Sequence, residues 1–143
     1  MPISEQDRAL LSLLADNARM PVAELARKLG LSRTTVQARI ERLEAGGVIS
    51  GYGIKLSDAY LSGLVRAHVL ITIAPKALAG VTAALAAIKE VTTLHSVSGT
   101  FDLIAILTAP SIADLDRLID GIGALDGVER TLSSVILSTR ISR

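Results

Sequence analysis

The chain has 143 residues, half of them hydrophobic, no cysteine and a formal net charge of +1, a size that fits one domain or two small ones. Its three aromatics, Tyr52, Tyr60 and Phe101, offer too little stacking surface for a binder of single-stranded nucleic acid, and the lack of cysteine excludes disulfides and thiolate chemistry. The longest charge-free stretch, Ala77–Ile88, falls well short of the ~20 apolar residues of a spanning helix, and no basic start leads into an apolar core as in a signal peptide. A cytoplasmic protein without a membrane partner is expected.

Charge becomes informative once it is divided along the chain. Arg27, Lys28, Arg33, Arg39 and Arg42 stand against Glu41 alone between residues 27 and 42, whereas basic and acidic residues balance after residue 60. A local excess of positive charge is the footprint of phosphate contacts.

In chain order, Ser4 and Asp7 can cap a first helix, whose apolar face is Leu10, Leu11, Leu13 and Leu14 and which ends near Asn17. Pro21 suits the first turn of a second helix, with Val22, Leu25, Ala26 and Leu29 at i, i+3, i+4, i+7 and Gly30 as a left-handed stop. Ser32 caps a third helix from about Arg33 to Ala45. It turns Val36, Ile40 and Leu43 inward and Arg33, Thr34, Thr35, Gln37, Ala38, Arg39 and Arg42 outward. Gly46-Gly47 stops it, and Val48–Ser50 and Tyr52–Lys55 are expected as two short strands turning at Gly51. This is the layout of a winged helix-turn-helix, whose second helix enters a DNA major groove.

Residues 56–63 are expected to be a connector. A strand over Val65–Pro75 follows, then a helix with Leu78, Val81, Leu85 and Ile88 on one face, then a strand over Val91–Ser98. The pattern repeats with a strand over Phe101–Pro110, a helix carrying Ile112, Leu115, Leu118, Ile119 and Ile122, and a last strand over Val128–Ile141. Tandem βαβ units predict an α+β chain in which a ferredoxin-like βαββαβ domain follows the winged domain. Ala67, Val69, Ile71 and Ile73 alternate on one strand face, as do Phe101, Leu103, Ala105 and Leu107, while Leu70, Ile104 and Ile106 fall on the other. A sheet apolar on both faces with helices on one side implies a second subunit on the other, hence a two-fold homodimer.

Read whole, the chain closely resembles the Lrp/AsnC (feast/famine) family of transcription regulators. The matching residues are Asp16-Asn-Ala-Arg19, Leu25-Ala26, Leu31-Ser32, Arg39-Ile-Glu-Arg-Leu43, Gly47-Val-Ile-Ser-Gly-Tyr52, Val97-Ser-Gly-Thr-Phe-Asp102 and Gly127-Val128, then Thr131 and Ser133. The resemblance implies a DNA-binding domain over 1–55, a linker over 56–63, and a domain over 64–143 that dimerises, assembles dimers further and binds small effectors, commonly amino acids. By position the effector elements are Ser98, Gly99, Thr100 and Asp102 in one turn, with Thr131 and Ser133 on the last strand. Phe101 stands where the family commonly has Tyr, and Ser133 where it has Thr.

Each functional reading has a plain counterpart. Ser32, Arg33, Thr34 and Thr35 lie at a helix N-terminus, which favours phosphate. Gln37 can read adenine, and Arg33 or Arg39 guanine, while Arg27, Lys28 and Arg42 suit phosphates; the counterpart is a solvated polar helix face. Gly99 would let a ligand approach the backbone and Asp102 would pair with an α-amino group, against a plain tight turn. Thr131 and Ser133 share a strand face. His68 and His95, with no third histidine and no cysteine, make no closed zinc site and read as structural; no metal and no cofactor are expected. The partners expected are double-stranded DNA, a small effector and further copies of the chain. The alternatives are an enzyme similar to sirohaem decarboxylases, which share this family's fold, and an effector-responsive assembly or storage protein without an operator.

Overall fold

The structure is a computed structural model that describes residues 2–143, and its chain divides into two compact units between Lys55 and Leu56. The first holds α1 (Glu5–Asp16), α2 (Val22–Leu29) and α3 (Arg33–Ala45). Ser4 caps α1 reciprocally: its hydroxyl accepts the Asp7 N–H while the Asp7 carboxylate accepts the Ser4 N–H, satisfying two donors that a helix start leaves free. Pro21 caps α2 from an extended conformation. Gly30 ends α2 at φ 67°, in the left-handed region, and the Leu31 N–H closes the turn on the Ala26 carbonyl at 3.0 Å. Leu10, Leu14, Leu25, Ala26, Val36, Ile40 and Leu43 form the core, each fully buried leucine contributing ~1.5–3 kcal/mol.

The strands expected at Val48–Ser50 and Tyr52–Lys55 do not form. Residues 50–57 carry no ladder, and every residue from Ser50 to Tyr60 is exposed. Two strands of three or four residues, with Gly51 and Gly53 contributing no side chain, have too little pairing and packing to hold a hairpin.

The second unit begins with a short helix, α4 (Asp58–Leu61), inside the segment expected to be only a connector, capped by the Ser57 hydroxyl accepting the Tyr60 N–H. Then come β1 (Val65–Ile73), α5 (Leu78–Ala86), β2 (Val91–Ser96), β3 (Leu103–Ala109), α6 (Ile112–Gly123) and β4 (Val128–Ile136). All four strands are shorter than expected: β1 stops at Ile73, β2 stops at Ser96, β3 runs from Leu103 to Ala109, and β4 stops at Ile136, leaving Leu137 and Ile141 exposed. The four strands are antiparallel in the order β2-β3-β1-β4, the ferredoxin-like arrangement.

Among the described residues, only one face of this sheet is covered. Ala67, Val69 and Ile71 of β1 and Leu103, Ala105, Leu107 and Ala109 of β3 pack with Val81 and Leu85 of α5 and Leu115 and Ile122 of α6. Leu78 and Ile112, expected on the apolar helix faces, are 47% and 59% exposed at the helix starts. The other face carries His68, Leu70, Ile104 and Ile106, continued onto β4 by Leu132 opposite Leu70 and Ser134 opposite His68. Leu132 is 55% exposed.

Candidate nucleic-acid interface and effector site

The side of α3 turned away from its core presents Arg33, Thr34, Gln37, Ala38 and Glu41, all exposed. This set is continuous because positions three and four apart share a helix face. Ser32 caps the helix through its hydroxyl, which accepts the Thr35 N–H at 3.1 Å and donates to the Thr35 hydroxyl at 2.8 Å. Thr35, expected free for phosphate, is thus tied into the cap. Gln37 donates to Glu41 Oε1 at 3.2 Å, one helical turn away, which fixes the amide on the exposed face. Glu41, which can accept from the cytosine amino group, was not singled out from the sequence, although its i+4 spacing from Gln37 marks it. Arg27 lies 3.9 Å from Glu24, and Arg27 and Lys28 are exposed at the C-terminal end of α2.

Arg39 does not point outward as expected but turns to Asp7 of α1; Arg42 is exposed as expected, yet it also turns one nitrogen to Asp7. Arg39 Nη1 reaches Asp7 Oδ1 at 3.1 Å and Arg39 Nη2 donates to Gln6 Oε1 at 2.7 Å. Arg42 Nη2 donates to both Asp7 oxygens, at 2.7 and 2.8 Å. Asp7 is fully buried. The Ser4 N–H, then the Ser4 hydroxyl and the two guanidiniums, outweigh that burial and hold its carboxyl at a pKa of about 2, below the usual 3.8. A base-reading role for Arg39 does not fit this geometry, because its guanidinium is committed inside the domain and its Nε is buried without a partner among the described residues.

In the second unit, the Ser98–Asp102 turn joins β2 to β3. The Val97 N–H donates to the Asp102 carbonyl at 3.0 Å and the Asp102 N–H to the Ile71 carbonyl at 2.9 Å. Gly99 sits at φ 123° with open space where a Cβ would be, so backbone conformation, rather than crowding, calls for glycine. Ser98, Gly99 and Thr100 protrude, exposed. The Arg130 guanidinium lies 5.2 Å from the centre of the Phe101 ring, a contact that ties the turn to β4 and is worth ~0.5–1 kcal/mol at an exposed site.

Asp102 and Thr131 flank the same residue: Ile71 accepts the Asp102 N–H on one side and pairs with Thr131 on the other. Ser133 is one strand repeat further on, opposite Val69. Because Val69 and Ile71 face the helices, Thr131 and Ser133 also lie on the helix side of the sheet, at its free edge. Among the described residues no group of three or more His, Cys, Asp or Glu could hold a metal ion.

A helix-turn-helix with an open reading face, joined to a βαββαβ sheet, defines a two-domain regulator. Residues 3–44 match the AsnC-type helix-turn-helix domain and residues 66–143 the Lrp/AsnC ligand binding domain. The chain belongs to the Lrp/AsnC family of transcriptional regulators. It is 35% identical to the proline dehydrogenase transcriptional activator of Rhodobacter capsulatus, over 99% of this chain and 94% of that one. AsnC of E. coli superposes with a TM-score of 0.88 at 30% identity, covering 100% of this chain and 97% of that one. The feast or famine regulatory protein from M. tuberculosis, complexed with L-methionine, superposes with a TM-score of 0.87 at 33% identity, covering 99% and 96%.

Proposed function

We propose that this chain is a sequence-specific regulator, without catalytic activity and working in the cytoplasm, that binds duplex DNA through α3 and responds to an amino acid or related metabolite. The carrying observation is the exposed face of Arg33, Thr34, Gln37 and Ala38, which the domain core leaves free. Arg33 and Gln37 have the donors that read guanine and adenine in the major groove, and Arg27, Lys28 and Arg42 add phosphate contacts. Residues 1–55 are the DNA-binding part, 56–63 the linker and 64–143 the part that senses and assembles.

The effector reading places an α-amino group at Asp102 and hydroxyl contacts at Thr131 and Ser133, with Ser98, Gly99 and Thr100 closing over the ligand. The methionine bound to the mycobacterial relative supports an amino acid. A homodimer through the open sheet face supplies the missing cover for Leu70, Ile104, Ile106 and Leu132, and dimers assemble further. Effector binding then acts by favouring one assembly over another, through a difference in affinity between them.

Thermal-shift screening of the amino acids tests the effector part, since a ligand bound by the folded state alone raises its stability. A gel shift on the DNA upstream of the protein's own gene tests the regulator part. An amino acid that raises the melting temperature and alters the gel shift supports both; no shift with any amino acid removes the amino-acid effector.

A further inference from the structure

The groove between the first turn of α1 and the flank of α3 has a chemistry that the reading face does not use. It encloses about 590 Å³, and its polar lining is Ser4, Gln6, Thr34, Thr35, Arg39 and Arg42. Among the described residues, no acidic side chain lines it. Behind the two guanidiniums stands one carboxylate, Asp7, fully buried, so a positive charge is left in excess. Arg42 spends a single nitrogen, Nη2, on both Asp7 oxygens. Its Nη1 and Nε have no partner among the described residues, and its side chain is 47% exposed. The starts of α1 and α3 both open onto this groove, adding two positive dipole ends to the arginines.

We propose that this groove seats a backbone phosphate of duplex DNA, held by the charge and the unengaged N–H donors of Arg42, with Asp7 as the positioning residue that sets the angle of that guanidinium. Both forks of a guanidinium share Nη2, which Asp7 holds. Arg42 therefore offers the phosphate single donors and its charge, and the neutral Ser4, Gln6 and Thr34 side chains supply further donors around it. The contact rests on the reading that α3 enters DNA, and it adds a grip on the flank of that helix. Asp7 works here against its own charge: a carboxylate near a phosphate repels it, so its value lies in holding Arg42 still.

The test is fluorescence anisotropy of the full chain on a mixed-sequence duplex over a range of salt. Arg42→Gln should weaken binding equally on all sequences and flatten the plot of log affinity against log salt by about one ion. Gln6→Glu keeps the acceptor for Arg39 at an exposed position, so it should fold normally while raising Kd about tenfold through added negative charge. Asp7→Asn removes a negative charge, which alone would tighten binding; weaker binding, measured where circular dichroism shows the variant folded, is the positioning signature. Unchanged slope and affinity in both Arg42→Gln and Gln6→Glu overturn the phosphate site, and tighter binding by Asp7→Asn overturns the positioning role. If Arg42→Gln does not fold, Gln6→Glu decides. A wild-type chain with no salt-dependent binding would instead sink the DNA reading itself.

Discussion

Asp102 clamps the end of β1: its Oδ2 accepts the Ile73 N–H at 2.9 Å, next to the point where the β1–β4 register shifts between Thr72 and Ile73. The Ile73 N–H points toward β3, whose ladder with β1 ends at Ile71 and Leu103; a backbone donor past that end needs another acceptor, and this carboxylate provides it. The residue expected to meet the effector is therefore part of the sheet as well, with one oxygen already engaged.

Asp102→Ala should cost about 1–3 kcal/mol by leaving the Ile73 N–H without its acceptor, seen as a lower melting temperature without any ligand. Asp102→Asn keeps an amide oxygen for Ile73 and removes the charge. A ligand-induced thermal shift that survives in Asp102→Asn would show that the ligand does not pair with the carboxylate.

Asp7 makes the stability of the DNA-binding unit sensitive to acid. Its carboxyl titrates at about 2 in the folded chain against the ordinary 3.8, so its contribution is fully present above the unfolded value and is lost as pH falls from about 4 toward 2. The stability gap between wild type and Asp7→Asn, read by thermal melts, should shrink across that window and stay constant from pH 5 to 7.

Arg33→Ala should cost about 1–3 kcal/mol of operator affinity and relax selectivity at one base pair if the side chain reads guanine. Competition binding with operators altered one position at a time measures this. An equal loss on every sequence moves Arg33 to the phosphate contacts, the class proposed for Arg42.

Gly127→Ala should destabilise the sheet unit. The residue has φ 92°, and an added Cβ would lie 2.7 Å from the Ala77 Cβ and 3.3 Å from Val81 Cγ2. The Gly127 carbonyl also accepts the Ala74 N–H at 2.8 Å, so the backbone cannot back away without losing that bond. Overpacking of this kind costs about 1–3 kcal/mol, and chemical denaturation of the variant should show a lower midpoint with an unchanged slope.

The sequence made the buried halves of this chain readable and left the charged ones ambiguous. Val36, Ile40 and Leu43 fall at helical spacing and are buried, as expected; alternation along β1 and β3 separates the two sheet faces correctly. Helical spacing leaves Arg39 and Arg42 off the inward stripe of Val36, Ile40 and Leu43, and no local pattern reveals that Asp7, more than thirty residues earlier, lies buried within reach of both. The wing strands were expected from Gly51 and flanking apolar residues, but turn residues do not supply the pairing area that holds a hairpin. Thr131 and Ser133 were correctly placed on one strand face. Which face that is depends on the β1 register, a long-range fact that two residues cannot encode.

The cluster at Ser4, Gln6 and Asp7 has a practical side. Anything fused ahead of Ser4 emerges beside Arg39 and Arg42 and the groove they line. A polyhistidine or acidic tag there sits on the groove proposed to seat a phosphate, where it can compete with nucleic acid or unsettle the Ser4–Asp7 cap. The decision about which terminus carries an affinity tag thus becomes a variable in every binding measurement made on this chain.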